Sequence, residues 1–113
     1  MKHSLDLMIV CNDKTTLDAI TNALPSADDS RVWAEQYQAP VQSVDENGNA
    51  VLSGMVRFHE DIDRTDIEDA VQSVGGMFSL CEPGSYLRLH DCYHDTTPPK
   101  SCEVTTLYEV VAI

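Results

Sequence analysis

Positive charge is scarce in this chain. Lysine and arginine number 7 against 19 aspartates and glutamates, which sets the formal net charge at −12. Such a surface repels a phosphate backbone, so no direct nucleic-acid partner is expected. Long apolar runs are missing too. No segment approaches the length of a membrane span. The opening MKHSLDLMIVC carries one lysine and a short apolar run that Asp6 interrupts, which fits a first strand rather than a signal peptide. A cytoplasmic protein without a membrane partner is the resulting expectation. Cysteine is sparse: the four, at 11, 81, 92 and 102, are too few and too irregular for a secreted disulfide scaffold, and reduced thiols are expected. A catalytic constellation is also lacking. Cys92 beside His90 or His94 has no third orienting group at a persuasive position and no oxyanion loop. The expectation is a protein that is not an enzyme.

What is present suits a folded domain. The chain has 113 residues, 42% of them hydrophobic, which predicts a single α+β domain over 1–113 with one modest core. The acidic surface suits a basic protein partner, a bound cation, or solubility alone.

Periodicity divides the chain. Leu5 to Cys11 alternates and is apolar on both faces, as in a central strand, with Cys11 a small buried hydrophobe. Thr15 to Leu24 reads as a helix, with Thr15 and Asp18 as a capping box, Leu17, Ile20 and Leu24 on its apolar face, and Pro25 as its stop. Residues 31 to 44 read as a long extended segment in which Pro40 demands a bulge or an edge. Trp33 and Tyr37 there are core residues or an exposed aromatic pair. Asn47-Gly48 marks a hairpin turn, and Ala50 to His59 is the return strand. A second helix follows, capped by Asp63 or Thr65, with Ile67, Val71 and Val74 inward and Gly75-Gly76 at its end. Met77 to Cys81 is a short apolar run. Ser85 to Asp95 and 102 to 112 read as two more strands. In the latter, Val104, Thr106 and Tyr108 share a face, with burial continuing to the terminus.

The order strand, helix, strand, strand, helix, strand resembles the ferredoxin-like β-α-β-β-α-β fold in topology, with an extra C-terminal strand or hairpin. That resemblance implies an antiparallel sheet with two helices on one face. It carries no function with it.

Three groups of residues are candidates for a site. Period two places His90, Cys92 and His94 in one row, and Cys102 approaches from the next strand. Imidazole nitrogen and thiolate sulfur suit tetrahedral zinc, although the spacing is not a standard zinc motif. The alternative is ordinary packing. Glu60, Asp61, Asp63, Asp66, Glu68 and Asp69 surround the start of the second helix. Six carboxylates exceed what a cap requires, and they lack the ligand spacing of a calcium loop. They read as a solvated face or as a docking surface for a basic protein. Tyr86, Arg88, Tyr93 and Tyr108 near the last hairpin read as sheet packing or as interface anchors.

The leading expectation is a small non-enzymatic binding protein: an adaptor, regulatory subunit or inhibitor, including a phage-type inhibitor that blocks a basic nucleic-acid-binding partner. The other is a metal-binding or small-ligand-sensing domain that uses the His/Cys strand. No cofactor other than zinc is implied, and a homodimer stays open.

Overall fold

Alternation in the first strand decides the layering. The computed structural model describes residues 2–93 and 95–112. Strand β1 (Lys2–Cys11) turns Leu5, Leu7, Ile9 and Cys11 to one side, each at most 1% exposed. Ser4, Asp6, Met8 and Val10 turn to the other side and are half-buried. The chain continues through α1 (Lys14–Ala23), β2 (Val41–Val44), β3 (Ala50–Arg57), α2 (Arg64–Ala70), α3 (Gln72–Gly75), β4 (Tyr86–Cys92) and β5 (Glu103–Glu109). The five strands lie in the order β2-β3-β1-β4-β5, and every neighbouring pair is antiparallel. The fold is α+β, and β1 lies at the centre of its sheet, as its two apolar faces require.

The helices cover the fully buried face. Leu17 and Ile20 of α1, Ile67 of α2 and Val74 of α3 meet Leu5, Leu7 and Ile9, with Leu52 and Val56 of β3 and Leu87 and Leu89 of β4 completing the core. Each such Leu or Ile contributes roughly 1.5–3 kcal/mol by leaving water. No helix among the described residues is long and apolar enough to cross a membrane.

The start of α1 differs from the sequence expectation, while α2 takes one of its two expected caps. Asp13, not Thr15, caps α1, its carboxylate accepting from the Thr16 N–H at 2.6 Å. Asp63 caps α2 in the same way, accepting from Asp66 N–H at 2.9 Å. In both places the aspartate lies three residues before the orphan N–H that it satisfies. The second helix also breaks in two at Val71, whose ψ is 6°.

Two strands depart from expectation. Residues 31–44 are not one extended segment. Val32 makes an isolated bridge to Phe58, Ala34–Gln36 form a 3₁₀ turn, and only Val41–Val44 pair as a strand, on the sheet edge. The last strand is the opposite edge and is not buried to its end: Val104 is 61% exposed and Val111 67%. A β-bulge interrupts its alternation. Leu87 pairs with Tyr108 and Arg88 with Thr106, so Leu107 is the extra residue. Tyr108 is thereby turned to the helix side, away from the face of Val104 and Thr106.

Candidate functional site

The face of the sheet opposite the helices is open, and one end of it is built into a cleft. Register brings the parts together. Ser4 of β1 lies between Arg57 of β3 and His90 of β4, while Lys2 pairs with Cys92. The 3₁₀ turn after Val32 forms the wall. Trp33 N–H donates to the Arg57 carbonyl at 2.9 Å, and Arg57 Nη1 donates to Gln36 Oε1 at 3.1 Å. The cleft has a volume of about 440 Å³ and also receives Met55, Phe58 and His3. Among the described residues its lining includes two cations, Lys2 and Arg57, and no carboxylate. In a chain of net charge −12 that is a local inversion of sign.

Two imidazoles lie at this end of the sheet, His90 on the open face and His3 on the helix face beside Asp91. His3 is 3% exposed, and its Nδ1 bonds to Oδ1 of the buried Asp91. Asp91 is thus the orienting partner of His3 rather than a surface acid. Nε2 of His3 and Nε2 of His90 are the buried side-chain polar atoms without a hydrogen-bond partner among the described residues. A buried nitrogen left unpaired carries a desolvation cost, so the two rings mark where polar chemistry is left over. Sequence periodicity reached His90 but missed His3. The missing signal was the strand register, which sets His3 opposite Asp91.

Trp33 divides this cleft from a second one, of about 410 Å³, lined by Trp33, His59, Glu60 and Asp61. The indole Nε1 donates to Glu35 at 3.1 Å. One face of the wall is therefore cationic and the other acidic. Glu60 and Asp61 border the acidic cleft. Asp63 is spent on the helix cap, and Glu68 pairs with Arg64 at 3.1 Å. Arg31 reaches the Asp66 carbonyl at 3.4 Å and is drawn further toward Asp66 and Asp69 by their charge. All six of these acidic residues are exposed.

The zinc candidates are placed as follows. His90 and Cys92 share the open face, and Cys102 meets Cys92 thiol to thiol. That hydrogen bond, chiefly, holds the Cys102 thiol above its ordinary value, with burial second. His94 lies outside the described residues. Among the described residues no three His, Cys, Asp or Glu side chains are arranged to hold a metal ion.

The aromatic candidates separate. The Arg88 guanidinium stacks on the Tyr86 ring at 3.8 Å, on the open face. Tyr108 packs on the helix side, its ring 5.4 Å from that of Phe78. Tyr93 lies beside Asp91 and Glu103; burial, then those two charges, pushes its hydroxyl upward. The four residues do not form one patch. No known family model, curated protein or solved structure matches this chain.

Proposed function

We propose that this chain is a small non-enzymatic binding protein that docks a basic protein surface, as an adaptor, regulatory subunit or inhibitor. A basic nucleic-acid-binding protein is one such partner, which an acidic surface would block by occupying its phosphate-binding charge. The observation that carries this reading is the division of labour in residues 60–69. Glu60, Asp61, Asp63, Asp66, Glu68 and Asp69 are all exposed, while Ile67 alone is fully buried and holds the segment down. Glu60 and Asp61 serve neither in a helix cap nor, among the described residues, in an ion pair, and they line a cleft against an aromatic wall. Exposed charge of this kind steers association and is screened by salt.

Trp33 is the single tryptophan, so its fluorescence reports directly on that cleft. Titration with an arginine- and lysine-rich peptide at low salt should give a saturable change. Added salt and the pair Glu60→Lys, Asp61→Lys should each weaken it, with thermal unfolding unchanged. Equal binding by native and charge-reversed protein would overturn the reading.

A second reading rests on the orphaned His90 nitrogen on the open face, beside the cleft of Lys2 and Arg57. It makes the cationic cleft a site for a small organic anion, with Trp33 and Met55 as apolar wall. Phenyl phosphate is a suitable probe. Its effect on Trp33 fluorescence should be lost in Arg57→Gln if the guanidinium holds the anion.

We infer also that β1, α1, β2, β3, the broken second helix and β4 form a ferredoxin-like core, with β5 added beyond β4. The chain order of those elements and the inner position of β1 and β3 support that finer description.

A further inference from the structure

The four cysteines stand in two pairs, and the pairs differ in access. Register carries the first. His90 pairs with Val104 and Asp91 with Glu103 across β4 and β5, and extending that register by one residue beyond β5 brings Cys102 toward Cys92. Directly opposed residues of antiparallel strands have Cα atoms about 4.5–5.5 Å apart, within the span a disulfide bridges. The two thiols are already in hydrogen-bond contact, and both residues are half-buried at the sheet's open face. The second pair is Cys11 with Cys81. Glu82 N–H donates to the Val10 carbonyl at 2.7 Å and draws the two thiols together. Cys11 is fully buried and Cys81 only 8% exposed, inside the core.

We propose that Cys92 and Cys102 are a cross-strand dithiol that closes to a disulfide by exchange with a small disulfide such as oxidised glutathione. One thiolate attacks a glutathione sulfur and releases one glutathione thiolate, leaving a mixed disulfide. The second cysteine, having given its proton to solvent, displaces the other glutathione and forms the S–S bond. The protein loses two protons and two electrons, and one oxidised glutathione becomes two reduced ones. Cys92 borders the cationic cleft, so the modification fixes the floor of that cleft and ties the start of edge strand β5 to β4. The core pair, closed to solvent, does not exchange while the protein is folded.

The test is oxidation of the folded, reduced, chelator-treated full chain with oxidised glutathione, followed by alkylation and peptide mapping. A loss of two hydrogens, mapped to Cys92–Cys102, with Cys11 and Cys81 alkylated only after unfolding, is the expected result. The ring closed over residues 93–101 should raise Tm by roughly 10 °C. In Cys102→Ser the product should be a lasting glutathione adduct on Cys92. The proposal is overturned if Cys92 and Cys102 both remain alkylatable at saturating oxidant. It is equally overturned if they end as two separate adducts, or if Cys11–Cys81 closes as fast. Should Cys102→Ser not fold, mapping of the native protein decides alone.

Discussion

The ring of Tyr108 occupies the space where a side chain on Gly75 would begin. A Cβ built on Gly75 would clash with the Tyr108 ring, which also stacks against Phe78. This contact pins edge strand β5 to the helix layer. Gly75→Ala must therefore expel the ring or shift α3, and overpacking of this kind costs about 1–3 kcal/mol. Gly76, next in the chain, has helical dihedrals, and its nearest obstacle is 3.6 Å away. Gly76→Ala should be neutral or slightly stabilising through the unfolded state. Urea midpoints of the two variants check the contrast; equal losses would show that Tyr108 does not seat there.

His3 and Asp91 form a buried pair, and removal of one partner strands the other. Asp91→Leu should destabilise by about 3–5 kcal/mol, because His3 is left buried with both ring nitrogens unpaired. The double change His3→Leu, Asp91→Leu should recover most of that loss, since an apolar pair fills similar volume without desolvated groups. A double-mutant cycle by urea unfolding measures the coupling. Additive effects would mean that the pair contributes nothing beyond packing.

The fold was legible wherever one face of an element is buried. Leu5 to Cys11, Leu17 with Ile20, Leu52 with Val56, and Ile67 with Val74 read correctly because burial imposes a strict period. Residues 31–44 misled because Val32 and Pro40 suit extended backbone, while the 3₁₀ turn between them is set by Trp33 bonding to Arg57. Tyr108 misled because one bulged residue reverses every later facing. The cationic cleft was only half visible. Its residues come from β1, β3, β4 and the turn at Trp33, and no local spacing records which strands become neighbours. The pairing of Cys92 with Cys102 follows from the same register and from nothing in the spacing of the two.

Asp29 gives acid sensitivity with a definite sign. Arg31 grips it in a fork, Nε to Oδ1 at 2.9 Å and Nη2 to Oδ2 at 2.8 Å, and those hydrogen bonds hold its carboxyl below the ordinary 3.8. A carboxylate lowered in the folded state stabilises the fold fully above its unfolded value. That stability is lost as pH falls from about 3.8 through the lower folded value. Asp29→Asn should therefore flatten the fall in Tm over that acid range and lower Tm slightly at neutral pH. An unchanged acid slope would exclude the Asp29–Arg31 fork as a contributor.

The bulge at Leu107 makes a prediction that an ordinary strand would not. Thr106 pairs with Arg88 and Tyr108 with Leu87, so deletion of Leu107 leaves both pairs in regular register. Tyr108 would remain on the helix side against Gly75, and only the partial burial of Leu107 would be lost. That loss should be about 1 kcal/mol. Deletion of Thr105 is different. Thr105 is a paired residue opposite Leu89, and its removal slides either Val104 and the residues before it, or Thr106 and those after, by one position. A slide of one turns every side chain to the other face. If the bulge absorbs the slide, Thr106 takes the place of Thr105, Leu107 comes opposite Arg88, and Val104, Cys102 and Tyr108 all keep their faces. If it does not, Tyr108 leaves Gly75. Absorbed by the bulge, this deletion should cost about as little as that of Leu107; unabsorbed, it should cost more. Proton contacts between the rings of Tyr108 and Phe78, read by NMR alongside urea midpoints, distinguish the cases. Loss of those contacts on deletion of Leu107 would show that the extra residue is needed to aim Tyr108 and is not merely accommodated.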